Sequence, residues 1–273
     1  MSQVHSIGPG VSGTRSFKFI AFLYGMASYL VFFVTILYAI GFVMGLVVPK
    51  NIDTGVATSM TSAIVVNLLL MSLFAVQHSV MARKGFKAWW TKYVPKPVER
   101  STYVLAASSC LLLLFWQWRP IPTPIWQASG ITAWLLTGIH CLGWVIAFAS
   151  TCMIDHFDLF GLRQAFVALR GVEMPGQSFR TPLLYKIVRH PLMLGFLLAF
   201  WATPEMTAGH LLFAIANTVY ILIALQFEER DLIAEFGATY QEYRQRVPML
   251  VPRIFGRRRA DDRQSPGIVG EPR

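Results

Sequence analysis

This sequence predicts an all-α, polytopic membrane bundle, and three observations predict it. The chain is 55% hydrophobic with only 14% charged residues, its mean hydropathy is +0.50, and it holds six separate apolar runs. A water-soluble domain of 273 residues does not carry that composition. The runs fall at 19–47, 60–81, 102–118, 133–153, 190–203 and 208–227. Five to six membrane helices are expected, in one integral domain over 1–256.

The first run is long and follows a polar Gly/Ser/Pro-rich stretch at 6–16. It lacks a short apolar core and a small-residue cleavage site, so it is expected to remain as a helix rather than leave as a signal peptide. The fifth run is too short for a full crossing, which takes ~20 apolar residues. The fifth and sixth are therefore read as a hairpin with Thr203, Pro204 and Glu205 at its bend. Cys110, Cys141 and Cys152 fall in or at the ends of apolar runs without paired spacing and are expected as buried hydrophobes. His78, His140, His156, His190 and His210 show no compact ligand spacing, so no metal is expected.

A net charge of +10 would suit a nucleic-acid binder, but the positions of the charges exclude that reading. Of the 24 basic residues, only Lys50 and Arg119 follow the first and third runs; the rest lie at the N-terminus, in 83–100, in 163–189 or from Arg230 onward. Such asymmetry is the positive-inside pattern. It predicts both termini and the two long loops on the cytoplasmic side, with lipids, not nucleic acid, around the protein. No obligate protein partner is evident. The stretch 257–273, opening with Arg257-Arg258-Arg259, is expected to be a disordered basic tail near anionic headgroups.

Along the expected cytoplasmic surface, run two ends in Gln77-His78-Ser79, and an amphipathic segment at 86–94 follows, with Trp89 and Trp90 inward. His78 reads either as a helix-end histidine bonded to backbone or lipid phosphate, or as a residue lining the mouth of a cavity. Glu99 and Arg100 are expected as an interfacial ion pair. After run four come Asp155, His156, Asp158 and Arg163 interleaved with aromatics. They fit a capped amphipathic helix, with Asp155 or Asp158 as N-cap, or a catalytic loop in which His156 takes a proton beside one of the aspartates. The loop at 169–182, with Gly171, Pro175, Gly176 and Pro182, suits a lid.

The densest polar cluster comes last: Tyr185, Arg189-His190-Pro191, Gly195, then Glu228-Glu229-Arg230-Asp231-Leu232, Phe236-Gly237, Tyr240, Tyr243 and Val247-Pro248. Polar groups at this density beside apolar helices are costly and read as a site. The arrangement resembles the integral-membrane methyltransferases that include isoprenylcysteine carboxyl methyltransferase and the phospholipid methyltransferases. Within that superfamily it looks most like the bacterial methanethiol S-methyltransferases. Gln77-His78-Ser79, the segment from Glu99 to Leu105, the segment from Asp155 to Gln164, and Phe200-Trp201-Ala202-Thr203-Pro204 carry that likeness. Many members of the superfamily have Tyr two residues after the Pro of Arg-His-Pro; here Met193 stands there.

The resemblance implies a place in the bacterial inner membrane, S-adenosylmethionine as cofactor, a cofactor-binding part at about 180–250, and methylation of methanethiol, a small thiol, to dimethyl sulfide. It leaves open a lipid amine or prenylcysteine acceptor, and a non-enzymatic role like that of the denitrification-associated relatives. The implied cofactor offers a carboxylate, an ammonium, a ribose with adenine, and a sulfonium. Arg189 suits the carboxylate. Glu228 or Glu229 suits the ribose hydroxyls or the ammonium, and His190, Tyr240 and Tyr243 suit the adenine, with Tyr185 nearby. Pro191 opens a helix, and Gly195 leaves room for the ligand or for run six. His156 with Asp155 or Asp158 is the expected base, His78 the second choice. The charge pattern makes a prediction of its own: reporter fusions at Asp53 and Gln127 should read as periplasmic, and at Lys92 and Arg273 as cytoplasmic. A periplasmic signal at Lys92 would overturn the topology.

Overall fold

The computed structural model describes residues 14–172, 174 and 179–252. Among these, five helices are long and apolar enough to cross a membrane: α1 (Arg15–Met44), α2 (Met60–Ala82), α4 (Lys96–Gln117), α5 (Gly130–Ile154) and α9 (Ala208–Phe236). The short helix α3 (Lys84–Trp90) follows α2. At the end of α5 lie α6 (His156–Leu159) and α7 (Leu162–Arg170). A 3-10 turn (Leu183–Lys186) leads into α8 (Pro191–Trp201), and α10 (Ala238–Arg246) follows α9. The expected bundle and hairpin are both present. The tail at 257–273 lies outside the described residues, as does part of the expected lid.

The long helices are apolar all round, and their packing inverts the pattern of a soluble core. Beside an aromatic core around Phe42, Phe115 and Trp118, many buried positions are small or polar: Gly25, Ser28 and Thr35 on α1, Ala63 and Asn67 on α2, Ser101, Ala107 and Ser108 on α4, Gly143 and Ala147 on α5. Large side chains face outward; Ile20, Leu69 and Trp134 are 63%, 65% and 79% exposed, a surface only lipid suits. The cysteines follow this inversion rather than the expectation of burial. Cys141 and Cys152 are exposed and Cys110 is intermediate. On α3, Trp89 is half exposed, while Trp90 is partly buried and its indole N–H fully so.

Gly143 and Gly195 form the tightest seam. A Cβ on either would stand 2.6 Å from the other's carbonyl oxygen. Gly195 therefore seats α8 against α5. This corrects its expected place as a cofactor contact or as room for the sixth run, because the backbone of another helix already fills the space.

α8 has only 11 residues, about 16 Å of helix, so it ends inside the bundle. Carbonyls left open there need donors, since the bilayer core offers no water. Imidazoles from the two flanking helices meet its last turn. His210 of α9 stands with Nε2 2.9 Å from the Phe200 carbonyl, and His140 of α5 has a backbone hydrogen bond to Ala199. His140 also accepts from Trp144 Nε1 at 3.0 Å, so its donor is the other ring nitrogen. Trp126 Nε1 donates to the Thr203 carbonyl at 3.1 Å.

The hairpin bend itself is held by two short strands that the all-helical expectation did not include. These are β1 (Pro124–Gln127) and β2 (Glu205–Thr207), antiparallel, with Trp126 opposite Met206 and Gln127 opposite Glu205. Thr207 caps α9 by accepting from His210 N at 3.1 Å and donates its own proton to Asp53 at 2.5 Å. The first amides of α9 donate to the Thr123 and Ile121 carbonyls. The end of the membrane domain opposite the basic loops is thus closed largely by backbone bonds, with Asp53 and Lys50 each adding a side-chain bond.

If the Gly143–Gly195 seam sets the register of α8, Gly195→Ala should lower stability by about 1–3 kcal/mol, the usual cost of overpacking. Thermal unfolding in detergent measures this. Gly138→Ala is the control, because nothing lies within 4 Å of its Cβ position. Equal midpoints for the two variants would show that the seam yields.

Candidate active site

The polar groups converge at the end of the bundle that carries the basic loops, in three clusters. The first is built on Glu229, on the penultimate turn of α9 and nearly buried. Its Oε1 accepts from Arg189 Nε, lies beside His190 Nε2 and accepts from Tyr240 OH, each at 2.8 Å. Its Oε2 faces Arg244 Nε at 3.0 Å but lacks any partner in hydrogen-bond alignment. Arg189 spends Nη1 on the carbonyls of Arg244 and Val247, at 2.9 and 2.8 Å. The backbone amides of Arg189 and His190 donate to the carbonyls of Pro248 and Met249. Arg-His-Pro is therefore a tether that sews the chain after α10 to the start of α8.

This geometry separates residues that the sequence left equivalent. Glu229 is committed to four protein partners. Glu228 is 48% exposed, with Oε2 3.7 Å from Nδ1 of the buried His190. Tyr240 is 1% exposed and its hydroxyl belongs to Glu229, while Tyr243 donates to the Tyr185 carbonyl at 2.5 Å. Phe179 packs against Phe236, Tyr240 and Tyr243. The rings of Tyr240 and Tyr243 are thus core, not open faces. Burial drives both phenols up, Tyr243 to about 12, so both stay protonated. Burial, with Glu228 nearby, raises Tyr185 as well.

The second cluster surrounds His156. Its Nε2 stands 2.8 Å from Tyr29 OH of α1 and its Nδ1 2.8 Å from Thr151 Oγ1 of α5. The rings of Phe148, Phe157 and Phe160 enclose it. Burial depresses its basicity, which leaves the imidazole neutral at pH 7. The expected Asp–His pair does not form. Asp155 caps α6 by accepting from Asp158 N and is ion-paired with Arg163, while Asp158 accepts from Gln164. Both carboxylates are thus used in the capped-helix manner, and hydroxyls orient the histidine instead.

His78 belongs to a third cluster. Tyr103 OH lies about equally near both its ring nitrogens, at 3.0 and 2.9 Å, Phe74 stacks on it, and the neighbouring Ser79 contacts Tyr220. The expected Glu99–Arg100 pair is replaced: Arg100 Nε donates to the Leu159 carbonyl at 2.8 Å, and the guanidinium lies over the Tyr103 ring. Through Arg100 and Tyr103 the third cluster touches the loop of the second. Consecutive residues of α5 link the second to the first: Ser150 accepts from Tyr185 OH at 3.4 Å, and Thr151 holds His156.

Sequence reading missed Tyr29, Thr151, Tyr103, Tyr220 and Arg244. Tyr103 lay inside a quoted motif, and Arg244 follows Tyr243 directly. Tyr29 and Thr151 gave no signal, because each is one hydroxyl in an apolar run.

Fold and clusters together define a polytopic membrane protein with a buried carboxylate–arginine–histidine centre at one membrane face. A family model described as NnrU protein matches residues 66–227. A methanethiol S-methyltransferase 2 of Bradyrhizobium diazoefficiens is 76% identical over 251 residues, 92% of this chain and 97% of that protein. A methanethiol S-methyltransferase of Mycobacterium tuberculosis is 57% identical over 238 residues, 86% of this chain and 97% of that protein. Nurim of Sus scrofa is 31% identical over 175 residues, 61% of this chain and 66% of that protein. No solved structure matches the chain. The chain belongs to the NnrU protein family and to the methanethiol S-methyltransferase family.

Removing the Glu229 carboxylate strands Arg189, whose side chain is only 9% exposed. Glu229→Ala should cost about 3–5 kcal/mol of stability, the range for breaking a buried pair. Chemical unfolding in detergent measures it, with Glu228→Ala expected to be mild. The reverse order would move the hub to Glu228.

Proposed function

We propose that this protein transfers a methyl group from S-adenosylmethionine to methanethiol, forming dimethyl sulfide, in a bacterial inner membrane with both termini cytoplasmic. The observation that carries the reading is near-full-length identity of 76% and 57% to proteins named for methanethiol S-methylation. The site chemistry fits the donor. Glu228 offers an accessible carboxylate to an ammonium or a ribose diol. Nη2 of Arg189 makes no hydrogen bond among the described residues and suits a carboxylate. S-adenosylmethionine supplies, when bound, a methyl on a positively charged sulfur.

The residues divide the remaining work. Arg189, His190, Tyr240 and Glu229 fix the frame, Glu228 and Tyr185 face the donor, and Gly195 acts only through the α8–α5 seam. His156, neutral at pH 7, is the base for the thiol, since the thiolate is the reactive nucleophile. Asp155 and Asp158 hold its loop, and His78 remains the second candidate. A buried site also favours the chemistry, because leaving water costs the separated anion and cation more than the transition state, in which their charges are already dispersing. A small apolar thiol reaches such a site from the bilayer.

Purified protein with methanethiol and S-adenosylmethionine should release dimethyl sulfide into the headspace and should leave a farnesylated cysteine unmethylated. No dimethyl sulfide would overturn the substrate. Glu228→Gln should weaken donor binding by calorimetry about 10- to 100-fold, the effect of losing one charge-assisted bond. Because burial lowers the His156 pKa below its ordinary 6.5, activity should persist as pH falls past that value. It should fail only as the imidazole protonates at lower pH.

A further inference from the structure

We propose that Tyr29 carries the thiol proton to His156, and that Thr151 fixes the nitrogen that receives it. The inference rests on the thiol methyltransferase reading above and names the proton path within it.

The argument follows from counting hydrogens. Thr151 has one hydroxyl proton, and Oγ1 donates it to the Phe148 carbonyl at 2.7 Å. Its contact with His156 Nδ1 at 2.8 Å therefore has the imidazole as donor. A neutral imidazole carries one N–H, so the lone pair sits on Nε2. Tyr29 OH, 2.8 Å from Nε2, must donate to it.

No carboxylate or cation competes for this pair. Asp155 is held by Arg163, Asp158 by Gln164, and neither aspartate comes within ion-pair distance of His156 among the described residues. α5 presents Phe148 and, near Tyr29, Cys152; Phe157 and Phe160 close the remaining sides.

Tyr29 thus covers the only basic atom of the imidazole. A thiol approaching His156 meets the phenolic oxygen, which still has a free lone pair. The S–H bond breaks as its proton passes to Tyr29 Oη, while the proton of Tyr29 passes to His156 Nε2. Tyr29 ends neutral, the imidazolium keeps its Nδ1–H on Thr151, and the sulfur is left as thiolate. The thiolate electron pair then forms the bond to the methyl carbon as the old carbon–sulfonium bond breaks, its pair remaining on the departing sulfur. His156 afterwards returns one proton to solvent. In this scheme Tyr29 and His156 are catalytic and Thr151 is a positioning residue.

The test uses the full chain in detergent, headspace dimethyl sulfide from about pH 6 to 10, and calorimetry with S-adenosylmethionine. Tyr29→Phe should lower kcat at neutral pH by about 100-fold, recover toward high pH as thiolate arrives preformed, and bind the donor as wild type does. Adding Tyr29→Phe to His156→Ala should cause no further loss, because one path has already been cut. Thr151→Val should lower kcat about 10-fold and Thr151→Ser should restore it. Wild-type rates and pH profile in Tyr29→Phe, or a double variant losing the product of the two single effects, would overturn the relay. Should the wild type make no dimethyl sulfide, the function reading fails on its own. The hydrogen-bond assignment is then judged by ¹⁵N spectra of histidine-labelled protein, His156→Ala identifying the signal. A neutral His156 protonated at Nε2 overturns it, and one protonated at Nδ1 supports it.

Discussion

An eleven-residue helix ending inside a membrane bundle leaves backbone carbonyls where no water can reach them, and most of this architecture answers that constraint. His140, His210 and Trp126 supply donors from three different elements, and the β1–β2 pair takes over where α8 stops. The N-terminus of α8 lies at the end of the bundle that carries the basic loops, and the Arg-His-Pro segment is held there by Glu229 of α9.

The centre then sorts its own members by burial. A carboxylate with two arginines, a histidine and a tyrosine around it has little capacity left for a ligand, and its neighbour one residue away faces the open. Adjacent residues on a helix differ in direction by about 100°, so a Glu-Glu pair can hardly serve one purpose twice. Here one glutamate organises the protein and the other is available to chemistry. The same economy appears around His156, where the nearby aspartates stabilise the loop and two hydroxyls set the imidazole.

Much of this was legible in the sequence. The six apolar runs each fall on one of the five long helices or α8, since length and hydropathy decide which segments suit a bilayer, although α9 continues nine residues past its run and α4 begins six before its run. The hairpin bend at Thr203-Pro204-Glu205 was legible because proline and the short fifth run agree. The first cluster was legible because charged residues beside apolar helices are rare. What stayed hidden depends on direction in space. The strands β1 and β2 are four and three residues long and have no periodicity to read. Gly195 looked like ligand space because the sequence does not say which helix lies against it. Asp155 and Asp158 looked like partners of His156 by adjacency, whereas Arg163 and Gln164, one or two turns on, were the residues within reach. Tyr29 lies 127 positions from His156, and nothing local marks it.

The glycine seam also bears on how the protein moves. With backbone against backbone at Gly143 and Gly195 and Trp144 packed against Phe196 and Phe200, α5 and α8 are the most closely joined pair in the bundle. α5 carries the elements that hold His156, and α8 carries the start of the Arg189 tether. The register between Thr151, which holds His156, and the start of the Arg189 tether is therefore set by that seam. The opposite wall is joined differently, α9 meeting Arg83 and Lys84 at the start of α3 through the exposed ion pairs Arg83–Asp231 and Lys84–Glu235. Such pairs separate at little cost in water, so that wall is held less firmly than the glycine seam.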